Sequence, residues 1–77
     1  MDEKSYILKE IELQYEYRRQ DGETYSKIKH LVNDVFKSIK GSVTCEFGGF
    51  ESLGFNDEEI KGLIRQYIEA QPESLIK

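Results

Sequence analysis

One cysteine, one histidine, one proline and no tryptophan stand in a chain of 77 residues. A lone cysteine cannot close an intramolecular disulfide, so a secreted, disulfide-held scaffold is excluded and a reducing cytoplasm is the expected compartment. Zinc needs about four N or S ligands at a structural site and about three at a catalytic one, which Cys45 and His30 cannot supply. No metal and no cofactor are therefore expected. Long apolar runs are also missing: the longest is Tyr6 to Leu8, against roughly 20 apolar residues for a membrane span. MDEKSYILKE has acid where a signal peptide carries base. Base is in deficit overall, 11 Lys and Arg against 15 Asp and Glu for a net charge of -4. Nucleic acid and anionic lipid bind through clustered Lys and Arg, so neither is an expected direct partner. No GxxxxGK[ST] loop, GxGxxG turn or Ser-centred elbow occurs, and Gly48-Gly49 is too short to cradle a phosphate.

What is present indicates one folded domain over 1–77, with residues 73–77 expected to fray. A hydrophobic fraction of 38%, with five Tyr and four Phe, is too apolar and aromatic for a disordered chain. The core must still be small, because a chain of this length lies near the lower end of what folds alone. The clearest element is a helix over Glu23 to Gly41. Tyr25, Ile28, Leu31, Val32, Val35, Phe36 and Ile39 fall within one arc of roughly 140° at 100° per residue. Asp21 is placed to cap its start, Lys37 and Lys40 lie in its last turn, and Gly41 can take the left-handed C-cap.

The first 20 residues carry two readings. Ile11 to Tyr17 alternates strictly, so a strand would put Ile11, Leu13, Tyr15 and Tyr17 on one face and Glu12, Gln14 and Glu16 in water. A helix would group Ile7, Leu8, Ile11 and Tyr15, and would leave Tyr6, Leu13 and Tyr17 as a second apolar stripe well away from the first. The strand leaves less apolar surface bare and is preferred. Ser42 to Phe47 is short, β-branched and alternating, and reads as a second strand with Val43, Cys45 and Phe47 on one face. Gly48-Gly49 then suits a hairpin turn into a return strand ending before Gly54, the alternative being an irregular loop to Phe55. Asn56 as N-cap with Glu59 three residues on starts a final helix, which presents Ile60, Leu63, Ile64, Tyr67 and Ile68 and ends before Pro72. The expected fold is a small α+β domain, β-α-β(-β)-α, with two amphipathic helices on a short sheet; an all-α three-helix bundle is the alternative.

For function, a Cys-His nucleophile pair is disfavoured, because His30 lies on the polar side of the long helix and Cys45 alternates with apolar residues as a buried, inert thiol would. Fifteen carboxylates offer no spacing that singles out an acid-base pair. Residues 42 to 77 hold the whole net negative charge, and there Glu46, Glu51 and Asp57 flank Phe50 and Phe55 with glycines between. The plain interpretation packs the rings inside and spends the acids on a helix N-terminus. The sharper one makes Glu46, Phe50, Glu51, Phe55 and Asp57 a contact surface for a basic or amphipathic protein partner. Lys29, His30, Lys37 and Lys40 read as the solvated flank of a helix. Tyr6, Tyr15, Tyr17 and Tyr25 suit an interface, and strand pairing between copies would give a homodimer through residues 11–17.

The expected function is thus a small acidic cytoplasmic protein-binding module, a regulator, adaptor or inhibitor rather than an enzyme. In size and charge, though in no particular residue, it is similar to accessory proteins carried by phages and other mobile elements. An acidic mimic of nucleic acid that blocks a DNA- or RNA-binding protein is one alternative, and a minimal hydrolase or nucleotide-binding enzyme is another.

Overall fold

Ile7, Ile11, Tyr15 and Arg18 recur at intervals of four, four and three residues, the spacing of one helical face, and all four are buried on a single helix, α1 (Glu3–Asp21). The computed structural model describes residues 3–72 and 75–76. Two further helices, α2 (Ile28–Phe47) and α3 (Asp57–Glu69), follow, joined by a 3₁₀ turn at Phe50–Leu53. Each helix touches both others around one apolar interior.

Among the described residues there is no strand, only an isolated parallel bridge between Tyr25 and Ile76. The α+β arrangement is therefore corrected to a three-helix bundle. The alternation over Ile11 to Tyr17 misleads because a helix turns successive alternate residues by about 200°, which sends Ile11 and Tyr15 inward and Leu13 and Tyr17 outward. Ile11 is fully buried, whereas Leu13 is 43% and Tyr17 52% exposed. The second apolar stripe that counted against a helix exists and stays on the surface.

The second expected strand is also helix. Gly41 does not end α2, because Val43 lies four residues beyond Ile39 and extends the same buried stripe, both being fully buried. Burying a side chain such as Val43 contributes about 1.5–3 kcal/mol, more than the roughly 1 kcal/mol that a helix-interior glycine costs relative to alanine. The stop falls instead at Gly48, whose φ of 85° is left-handed and whose N–H donates to the Thr44 carbonyl at 3.2 Å. The hairpin over 48–53 is replaced by the 3₁₀ turn, closed by Gly54 at φ 83°.

The start of α2 also lies later than its apolar pattern suggests. Lys27 occupies the N-cap, Asp21 ends α1, and Tyr25 belongs to the connection between them. The start of α3 follows the sequence closely: the Glu59 N–H donates to Asn56 Oδ1 at 2.8 Å and the Asn56 N–H to Glu59 Oε1 at 3.4 Å, a full capping box. Beyond Pro72, where fraying is expected, residues 73, 74 and 77 lie outside the described residues. Leu75 is buried, and its carbonyl accepts the Tyr25 N–H at 2.8 Å.

Candidate functional surface

The five residues singled out in the acidic stretch do not form one exposed, ring-centred surface. Phe50 is buried and stacks on Phe36 of α2 with centroids 5.5 Å apart and planes 24° from parallel. Phe55 is half-buried against the same interior. Glu46, Glu51 and Asp57 are exposed, in the last turn of α2, the 3₁₀ turn and the first turn of α3 respectively. Asp57 approaches Lys40 at 3.9 Å. The acids are available to solvent; the rings they were to surround are committed to packing.

Cys45 is exposed rather than buried. In a strand it would share a face with Val43, whereas two helical steps turn it to the other side. His30 and Cys45 sit on one helix 15 residues apart, about 22 Å along its axis at 1.5 Å per residue, so they cannot act as a nucleophile and base.

Among the described residues the exposed large apolar groups are Leu8, Leu13, Tyr17 and Phe47, and Tyr6 beside them is partly buried. Tyr6, Leu13 and Tyr17 lie seven and four residues apart along α1, on the side away from Ile7, Ile11 and Tyr15. Phe47, at the end of α2, is 41% exposed and meets the Tyr6 ring edge-on at 5.1 Å, extending the stripe beyond its own helix. The Tyr6 hydroxyl donates to Glu46 at 3.0 Å. Local burial and then this bond to a carboxylate raise the phenol's pKa above its ordinary value.

Around Leu13 the surface forms a shallow hollow lined by Lys9, Glu10, Glu12 and Glu16. Glu16 is gripped by Arg19, whose nearest nitrogen lies 2.7 Å away, and this bond is the main cause of its lowered pKa. The stripe is thus apolar along its centre and mainly acidic at its edges. The signal for it was present in the helical reading of residues 6 to 17, as the second stripe. Phe47 could not be added from sequence, because its neighbour Tyr6 is 41 positions away.

A second, cationic feature lies between α2 and α3, where Lys29, Asn33, Lys61 and Arg65 line a hollow of about 300 Å³ together with Val32 and Glu58. Among the described residues no group of three or more His, Cys, Asp or Glu is placed to hold a metal ion, and no helix is long and apolar enough to cross a membrane. The chain matches no protein-family model, no curated protein and no solved structure.

Proposed function

We propose that this chain is a small protein-binding module of a reducing cytoplasm, acting by surface occupation as a regulator, adaptor or inhibitor, and that the outer face of α1 with Phe47 is its contact. The observation that carries this reading is the stripe of Tyr6, Leu13 and Tyr17. Leu13 and Tyr17 lie opposite the stripe that the core uses and stay exposed, so folding has no need of them, while Tyr6 is partly buried at the end of the outer stripe. Its spacing is that on which a second helix lays an apolar edge. Glu10, Glu12 and Glu46 beside it, with Glu16 paired to Arg19, outnumber Lys9 and suit a partner helix that carries Lys and Arg next to that edge.

A homodimer through residues 11–17 would need helix against helix instead of strand against strand. It would bring the same carboxylates of two copies together. A foreign basic amphipathic helix is the better occupant.

The test is a titration of isotope-labelled protein with a Lys/Leu amphipathic peptide of about 18 residues, five helical turns, followed by amide shifts at low salt and at about 0.5 M salt. Shifts should centre on residues 6–17 and 46–47, persist at high salt, and vanish in a folded Leu13→Asp, Tyr17→Asp variant. An acidic mimic of nucleic acid would instead release the peptide steeply as salt rises. Equal or tighter binding by the variant, which carries two more negative charges, would refute an apolar-anchored contact.

A further inference from the structure

In a chain of net charge -4, three cations line one hollow between α2 and α3 and a fourth, Lys40, stands farther along the same pair of helices. Lys29 and Lys40 stand on α2, and Lys61 and Arg65 on α3. The helices run antiparallel, so that Lys40 meets Asp57 at one end while Lys29 and Arg65 share the hollow at the other. Lys61 lies over the Phe36 ring at 5.0 Å and Lys40 over the same ring at 5.7 Å, so the two ammonium groups approach one ring between the helices. We infer that this groove binds a short acidic segment of another polypeptide, gripped by Lys29, Lys61 and Arg65. The inference is independent of the α1 face.

Three observations support an acidic peptide. First, the cations form a row and not a point: Lys29 to Lys40 spans about 16 Å at 1.5 Å per residue, the length of about five extended residues at 3.3 Å each. Second, among the described residues neither Lys29 nor Lys61 has an ion-pair partner, and the carboxylates on the others are loosely held, Glu69 on Arg65 at 3.4 Å and Asp57 on Lys40 at 3.9 Å, every group more than half exposed. Such pairs are worth little in water and exchange readily for an incoming carboxylate. Glu58 lines the hollow and, with Asp57 beside Lys40 and Glu69 beside Arg65, would repel an incoming carboxylate, which the cations must outweigh. Third, Gly62 lines the edge of the hollow, and a Cβ there would meet nothing within 4 Å. Packing does not require the glycine, and a helix-interior glycine costs about 1 kcal/mol against alanine. It leaves that stretch of the hollow's edge without a side chain, and the Asn33 amide lines the hollow as a further donor. The net negative charge of the whole chain opposes nucleic acid far more than it opposes a few carboxylates.

Hexaglutamate titrated into the labelled full chain should shift the amides of Lys29, Asn33, Lys61, Gly62 and Arg65. Lys29→Glu with Lys61→Glu should weaken it about tenfold or more, from two attractions lost and two repulsions added. Gly62→Leu, which fills the groove without changing charge, should weaken it about tenfold as well, while melting shows the variant folded. The Leu13→Asp, Tyr17→Asp variant should bind hexaglutamate as the parent does, which separates this site from the α1 face. Shifts scattered over the surface, unchanged affinity in the Gly62→Leu variant, equal binding of inorganic phosphate at matched ionic strength, or tighter binding of an oligothymidylate would each overturn the inference.

Discussion

Arg18 on α1 places its Nε 3.0 Å from Asp34 Oδ2 on α2, and its other two nitrogens reach Ser38 Oγ at 3.0 Å and the Gln14 carbonyl at 2.9 Å. A buried guanidinium is tolerated only when its donors are met, and here they tie the end of α1 to the middle of α2. Arg18→Ala should destabilise the fold by about 2 kcal/mol, less than the 3–5 of a fully buried pair because the Asp34 side chain is 46% exposed. Arg18→Met, which keeps the apolar stem, should lose clearly less. Urea unfolding of the two variants checks both statements.

The same carboxylate gives the fold a pH dependence at both extremes. Asp34 accepts the Tyr25 hydroxyl at 2.6 Å as well as the Arg18 bond. Tyr25 first and Arg18 with it hold its pKa below the ordinary value, against the opposing effect of burial. A depressed carboxylate stabilises the fold above its unfolded pKa of about 3.9, and that contribution is lost as pH falls through the lower folded value. Burial, with the bond to Asp34, pushes the Tyr25 phenol up to about 12.

A raised phenol has the opposite sign. Its contribution is full below about pH 10 and disappears between about 10 and 12, where the unfolded chain loses its proton first; by linkage the ceiling is about 2.7 kcal/mol, reduced by solvent screening because Tyr25 is only half-buried. Tyr25→Phe should flatten that alkaline loss relative to the parent in urea melts at pH 9, 10 and 11. An unchanged slope would mean the phenol is not held neutral by its surroundings.

Two glycines of α2 should respond oppositely to alanine. Gly41 has helical backbone and open space where a Cβ would stand, so Gly41→Ala should stabilise by about 1 kcal/mol. Gly48 has φ 85° and ends the helix, so Gly48→Ala should destabilise by about 1 kcal/mol. Thermal melts of the pair decide whether the helix runs through residue 41.

Phenylalanines divide in the same manner. Phe50→Ala should cost about 3–5 kcal/mol, enough to unfold much of a small domain, because the ring is buried on Phe36. Phe47→Ala should cost under about 1 kcal/mol, the worth of one exposed edge-on contact with Tyr6. Loss of a partner is therefore interpretable in the second variant and not in the first.

The helical stripes of α2 and α3 and the Asn56–Glu59 cap were legible in the sequence, because each depends on neighbours within two turns. The α1 assignment was not, because its apolar residues occupy two sides of the helix and satisfy the strand period as well. What decides between them is tertiary: Ile7, Ile11 and Tyr15 find a complementary surface only when α2 and α3 are in place, and the rest is left in water. The contact surface was misplaced for the same reason. Phe50 and Phe55 stand out in sequence beside acids and glycines, yet the turn folds them inward. Tyr6 and Phe47 come together only when the ends of α1 and α2 meet.

Ile11→Ala and Leu13→Ala, compared by urea unfolding, test the two-faced helix on which both the architecture and the proposed contact depend. Ile11→Ala should lose about 2–5 kcal/mol from a fully buried site and Leu13→Ala under about 0.5 from an exposed one. Comparable losses from the two would put them on one face, as a strand does, and would contradict the account.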